Sequence, residues 1–345
     1  MSPFKALIAK LIEAEGPMPL SDYMALCLGH PDYGYYQSKE PFGRGGDFIT
    51  APEISQMFGE LIGAWIADLW TRQGKPQGAA LVELGPGRGT LMSDIRRTLK
   101  SVPEWPRETP VHLVETSKRL RAQQKAAHPD ANWFDSFEDV PRTGPLYIMA
   151  NELFDALPIR QFIRRGDVWK ERSVVNSAGA LGLADTATSI PVAAPKEAED
   201  GDIWELCQAG RTLMREIAHA IKTSGGAALV IDYGFTKHAF GDTVQAIEKA
   251  RFGDPFENPG EADLTAHVNF AMLKETALEA GAAAHGPTTQ GAFLLDLGLP
   301  LRARALGGPA LRDAARLADP EAMGDLFKVL AVTPPGSPIP AGFGR

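Results

Sequence analysis

The chain has 345 residues, of which 44% are hydrophobic and 23% charged. That composition excludes a wholly disordered chain, and the length suits two domains or one α/β domain with insertions. Lys and Arg number 35 against 43 Asp and Glu, a net charge of −8, which argues against a nucleic-acid partner because such binding needs a basic face. No apolar run approaches the roughly 20 residues needed to span a bilayer, so no membrane insertion is expected. Two cysteines, Cys27 and Cys207, cannot build a disulfide framework, and the seven histidines form no HxH or HExxH pair. No metal site is expected. The first residues lead into an amphipathic stretch and not a secretory apolar region, so the expected location is cytoplasmic.

In chain order, Phe4 to Leu28 reads as two amphipathic helices broken at Gly16-Pro17-Met18-Pro19. Residues 29–52 form a loop rich in Gly, Pro and aromatics. The part over 43–53, with Phe48, reads either as a mobile lid or as a fixed loop packed by its own aromatics. From Glu53 to Arg72, Met57, Phe58, Leu61, Ile62, Trp65, Ile66 and Leu69 recur at helical spacing. A β/α alternation follows. Strands are expected at Ala79 to Leu84, Val111 to Val114, Trp133-Phe134 and Leu146 to Ala150, with helices after the first two. Such alternation predicts an α/β fold with a mostly parallel sheet. Gln161 to Arg172 reads as a hairpin turning near Gly166-Asp167. Residues 176–202 read as a loose insertion, and 234–263 as a second irregular segment. Helix Leu206 to Lys222, strand Ala227 to Asp232, helix Ala266 to Ala280 and a closing strand Phe327 to Val332 complete the pattern.

Leu81-Val82-Glu83-Leu84-Gly85-Pro86-Gly87-Arg88-Gly89-Thr90 runs from a strand through a glycine-rich turn into a helix. Such glycines let a ligand approach the main chain, and the helix start offers free N–H groups. A dinucleotide turn of the form GxGxxG would need glycine at position 90, which is Thr. Glu83 two residues before Gly85, with Gly87 and Gly89, instead resembles the first motif of class I S-adenosylmethionine (SAM) methyltransferases. Glu115, ending the second strand, stands where an acceptor for ribose hydroxyls belongs, a position that suits NAD as well. Asp135, Ser136 and Phe137 follow the third strand, where they meet an adenine or simply cap a loop. After the fourth strand comes Asn151-Glu152-Leu153-Phe154-Asp155. These residues either border a reacting group, as strand ends in open sheets do, or cap a helix.

Taken together, Gly46 to Glu60, Glu83 to Met92, Asn151 to Pro158, Ile231 to Gly234, Asp263 to Phe270 and Gln290 to Gly298 resemble the MidA-like SAM-dependent methyltransferases. That family includes the mitochondrial arginine methyltransferase that assists respiratory complex I assembly. The resemblance implies a Rossmann-like class I methyltransferase domain over residues 76–345. It would be preceded by a helical segment with a glycine-rich lid over 1–75, and insertions at about 159–205 and 234–263 would form a substrate-side subdomain. It implies SAM as cofactor, held by Glu83, Gly85, Gly87, Gly89, Thr90, Glu115, Asp135, Ser136, Phe137 and Asn151. The expected reaction is methyl transfer to an arginine of a protein substrate, a complex I core subunit or its bacterial counterpart. Glu152, Asp155 and then Glu53 are the candidates for gripping the guanidinium, and His267 for taking up the released proton. Asn269, where the family usually has Asp, and the Ala250 to Gly253 stretch depart from its pattern. Two other functions are weighed: a SAM-binding assembly chaperone, and an NAD-dependent oxidoreductase, against which Thr90 counts.

Overall fold

The computed structural model describes residues 2–38, 49–188, 190, 192–248 and 251–344. The expected lid falls mostly on residues 39–48, outside the described residues. The chain divides into two compact units. One gathers the described parts of Met1–Phe48, Asp155–Arg211 and Lys237–His267; the other is formed by Ile49–Phe154, Thr212–Thr236 and Val268–Arg345.

The second unit is built on an eight-stranded sheet. Its path runs Ala283–Thr289, Phe327–Thr333, Gly226–Phe235, Leu146–Asn151, Ala80–Leu84, Val111–Val114, Asn132–Phe134, and Val268–Asn269 pairs off the Gly226–Phe235 strand. Five strands, from Gly226–Phe235 to Asn132–Phe134, are parallel neighbours. Every residue of Ala80–Leu84 is buried, as a strand covered on both faces requires. Succession starts at Ala80–Leu84, moves outward through Val111–Val114 to Asn132–Phe134, then resumes on the other side at Leu146–Asn151. The reversal lies between Ala80–Leu84 and Leu146–Asn151, the place where open sheets bind ligands.

Helix Gln56–Arg72 buries Phe58, Trp65, Ile66 and Trp70 in this unit's core, with Ile95, Phe293 and Val329. Its Gly59 and Gly63 let helix Thr90–Leu99 come close: a Cβ at Gly59 would stand 2.5 Å from the Asp94 Cβ, and one at Gly63 2.8 Å from the Thr98 Cβ. The helix that opens at the glycine turn is thereby pinned against a neighbour.

Among its described residues the other unit holds two sheets, both antiparallel. In one, Met18–Pro19, Val168–Ser177, Arg160–Arg165 and Ile203–Leu206 lie in order, with Ala180–Ala187 pairing Val168–Ser177. The other joins Arg251–Gly253, Gln245–Glu248 and Asp263–Thr265. Helices Pro3–Glu15 and Leu20–Gly29 bury Phe4, Ile8, Tyr23 and Met24 with Val174 and Leu264 in a separate core.

The α/β expectation holds, but the expectation of a mostly parallel sheet does not: the sheets are mixed. The strands at Ala283–Thr289 and Phe327–Thr333 join the main sheet antiparallel. In the other unit, short turns join Arg160–Arg165 to Val168–Ser177 and Val168–Ser177 to Ala180–Ala187, and such turns join only antiparallel neighbours. Residues 176–202 are not a loose insertion throughout, since Ala180–Ala187 forms a full partner strand. Likewise 234–263 holds most of a three-stranded sheet.

Candidate active site

Gly85, Gly87 and Gly89 all have left-handed backbones, with φ of +63°, +53° and +81°. Side chains would be strained there, and a Cβ on Gly85 would also stand 2.9 Å from Leu153 Cδ1. The turn is tied down by side chains that sequence reasoning did not single out. Gln124, fully buried, donates to the Gly87 carbonyl at 2.7 Å and to Glu115 Oε2 at 3.3 Å, and its Oε1 accepts from Trp133 Nε1 at 2.9 Å. His128 Nε2 donates to the Gly89 carbonyl at 2.9 Å. Burial holds the His128 imidazole below its usual pKa, and the neutral tautomer with hydrogen on Nε2 leaves Nδ1 to accept. Arg96 Nη1 lies 3.3 Å from that atom. The available signal was positional: Leu120 and Gln124 fall at i, i+4, so a polar residue shares the buried face of helix Lys118–Ala127, and His128 caps its end.

Glu83 is buried, and burial pushes its carboxyl up to about 8, an effect opposed by the Met92 amide. Glu115 is buried and accepts from the Ser117 amide at 2.8 Å; burial raises its pKa as well. Thr90 Oγ1 donates to Glu53 Oε1 at 2.5 Å, and Arg88 Nη1 stands 3.5 Å from Glu53 Oε2. Glu53 thus binds the short helix Ala51–Ile54 to the glycine turn. Asn151 ends its strand, with Nδ2 donating to Glu152 Oε1 at 3.0 Å. Glu152 Oε1 also accepts from the Ala51 amide at 3.1 Å. Glu152 is itself left-handed at φ +52°, a conformation that costs a residue with a Cβ about 1–3 kcal/mol and occurs preferentially at functional sites.

The same unit therefore assembles Glu53, Glu83, Gly85, Gly87, Gly89, Thr90, Glu115, Asn151 and Glu152 around the carboxyl ends of adjacent parallel strands. Asp135 follows the next strand; its side chain is exposed and pairs with Arg121 Nη2 at 2.6 Å. Arg121 also donates to the Glu115 and Phe134 carbonyls, at 2.5 and 2.8 Å, and so ties two strand ends together. Ser136 Oγ donates to Asp139 Oδ2 at 2.9 Å. Phe137 is buried, with the Arg142 guanidinium 5.4 Å from its ring centre. Asp155 and His267 belong to the other unit. There the Asp155 carbonyl accepts from the Ala266 amide, and the His267 amide donates to Thr243 Oγ1, both at 3.0 Å. The charge of Asp155 also acts on Tyr36, whose hydroxyl donates to Asp263 Oδ1 at 2.8 Å. A cavity of 540 Å³ lined by Leu81, Leu99, Lys100, Trp105 and Arg107 sits toward the start of strand Ala80–Leu84 and is no part of the site.

Two buried oxygens, Glu83 Oε2 and Asn151 Oδ1, meet no hydrogen-bond donor among the described residues. They lie on neighbouring strands that flank the left-handed glycine turn, with Glu115 on the next strand. A nucleoside carrying an amino acid supplies hydroxyl and ammonium donors for such acceptors, and the open turn admits it against the main chain. The residues fit SAM.

A glycine turn at the switch point of an α/β sheet, followed on the next strand by a buried carboxylate, defines a site for a nucleoside-bearing cofactor, and the family match makes that protein class a SAM-dependent methyltransferase. Residues 61–288 match the family model described as "Putative S-adenosyl-L-methionine-dependent methyltransferase", and the chain belongs to that family. It is 36% identical to the mitochondrial protein arginine methyltransferase NDUFAF7 of Danio rerio, over 95% of this chain and 86% of that protein. Its identity to the Homo sapiens protein of the same name is 34%, over 94% and 81%. It also resembles the crystal structure of a Burkholderia thailandensis protein bound to S-adenosyl-homocysteine, with a TM-score of 0.88, 29% identity, and coverage of 99% of this chain and 94% of that one. SAM is the cofactor. The curated relatives are mitochondrial proteins, which overturns the expectation of a cytoplasmic protein. Among the described residues no helix is long and apolar enough to cross a membrane.

Proposed function

We propose that this chain methylates an arginine side chain of a partner protein, on a Rossmann-like class I methyltransferase domain. The observation that carries the acceptor class is the similarity, over 95% of the chain, to a protein named as a protein arginine methyltransferase. The fold assignment is supported by the five parallel strands and the reversal of their order of succession beside the glycine turn. The unit holding residues 159–205 and most of 234–263 is assigned to the substrate side, and the family resemblance favours a respiratory complex I subunit as partner.

Bound at the glycine turn, SAM supplies a methyl group on a sulfonium. The chain's part is alignment and exclusion of water. Glu83, Glu115 and Asn151 offer acceptors to the cofactor, and Glu152, held beside the turn, takes the acceptor guanidinium. A carboxylate can receive two N–H groups of this planar cation at once, a geometry a lysine ammonium does not match. Pairing of two nitrogens draws positive charge toward them and leaves the third the better nucleophile. Asp155 and His267 keep the roles assigned from sequence, guanidinium contact and proton uptake, as parts of the same proposal.

The test is transfer of a labelled methyl group to recombinant complex I subunits, followed by hydrolysis and identification of the methylated amino acid. Label in methylarginine, reduced at least about ten-fold by Glu152→Gln with S-adenosylhomocysteine affinity retained, is the expected result. Label in another amino acid, or full activity in Glu152→Gln, contradicts the proposal.

A further inference from the structure

Glu152 is the residue of the site whose backbone is least comfortable, and the groups that hold it there are close by. Its amide donates to the Ile231 carbonyl at 2.9 Å. The next two amides, of Leu153 and Phe154, both point at one carboxylate oxygen: Asp232 Oδ2 accepts from them at 3.1 and 2.9 Å. Asp232 Oδ1 accepts from its own neighbour, the Tyr233 amide, at 2.9 Å. Asp232 is completely buried. A buried carboxylate bonded by three backbone amides is a strong and directional anchor.

From this geometry we infer that Asp232 is a positioning residue of the methyltransferase site: by gripping the Leu153 and Phe154 amides, it fixes Glu152 in its left-handed conformation. The consequence extends beyond one turn. Thr50, the residue before helix Ala51–Ile54, makes no side-chain cap bond to it. The Glu152 carboxylate supplies one instead, accepting from the Ala51 amide, and Glu53 on that helix reaches Thr90 at the glycine turn. A single line of contacts runs from Asp232 through Glu152 and Ala51 to Glu53 and Thr90. Rotation of the 152–154 turn would swing Glu152 away from Ala51 and release the helix that carries Glu53. The catalytic side of this inference rests on reading Glu152 as the acceptor-side carboxylate; the line of contacts does not.

The experiment is residue-resolved amide hydrogen exchange on the full chain saturated with S-adenosylhomocysteine, comparing wild type with Asp232→Asn. The isosteric amide keeps the shape but turns one acceptor into a donor facing amides. Exchange at Leu153, Phe154 and Ala51 is expected to quicken about ten-fold or more, with the Ala80–Leu84 strand unchanged. Acceleration spread evenly over the sheet, or none at Ala51, overturns the inference. A second comparison covers a variant that folds poorly. Glycine takes the left-handed backbone without strain, so the loss of melting temperature caused by Asp232→Asn should shrink in a Glu152→Gly background. An Asp232→Asn protein that fails to fold should fold again with Glu152→Gly added. An equal loss in both backgrounds, or no rescue, overturns the inference. If methyl transfer to arginine fails while these exchange results hold, the acceptor reading is at fault and the positioning role stands.

Discussion

Gln124 Nε2 lies 2.7 Å from the Gly87 carbonyl and 3.3 Å from Glu115 Oε2. One buried amide therefore joins the glycine turn to the carboxylate on the next strand. Gln124→Ala strands both partners, as well as Trp133 Nε1. With about 1–3 kcal/mol lost for a buried group left unpaired, a destabilisation of about 2–4 kcal/mol is expected in denaturant unfolding, together with weaker S-adenosylhomocysteine binding. An unchanged midpoint and affinity would show that the turn is held by other groups.

Burial of Glu83 predicts a pH dependence of stability. Burial raises its carboxyl from 4.5 to about 8, so between those values the folded chain keeps a proton that the unfolded chain has lost. Its contribution to stability is fully present below about pH 4.5 and is lost as pH rises through about 8, at about 1.4 kcal/mol per pH unit. Glu83→Gln, a neutral isostere, has no such slope. The stability of wild type minus that of Glu83→Gln should fall by a few kcal/mol between pH 5 and pH 8. Parallel curves would contradict this account of Glu83.

Ala178 sits at φ +52° in the turn joining Val168–Ser177 to Ala180–Ala187. The left-handed region costs a residue with a Cβ about 1–2 kcal/mol, part of which glycine returns through its greater freedom when unfolded. Ala178→Gly should raise stability by up to about 1 kcal/mol in chemical denaturation. A loss would mean that the turn relaxes in solution.

The sheet of the methyltransferase unit was legible because its strands are short apolar runs ended by punctuation. Ala80–Leu84 stops at Gly85, and Val111–Val114 at Glu115. The hairpin at Gly166-Asp167 was legible for the same reason, and Arg165 pairs with Val168 across it. Ala180–Ala187 was not, because Ala, Gly, Asp and Thr carry little strand signal and its pairing with Val168–Ser177 supplies what the local sequence lacks. The glycines, Thr90, Glu115 and the Asn151-Glu152 pair, which this unit gathers at its strand ends, could be picked out from spacing. The pairing of Asp135 with Arg121 could not be read, because the two stand fourteen positions apart on different elements. Nor could spacing reveal Asp232 as the anchor of the turn after Glu152, through contacts across 79 and 78 positions that exist only once the parallel strands are aligned.

The most direct test of the account is calorimetric titration of wild type and Glu115→Ala with S-adenosylhomocysteine and with NADH. In the proposed site Glu115 accepts from the nucleoside, so its loss should weaken S-adenosylhomocysteine binding about 10- to 100-fold, and NADH should bind to neither protein. Undiminished S-adenosylhomocysteine affinity in Glu115→Ala, or binding of NADH in preference to it, would contradict the placement of SAM at this glycine turn.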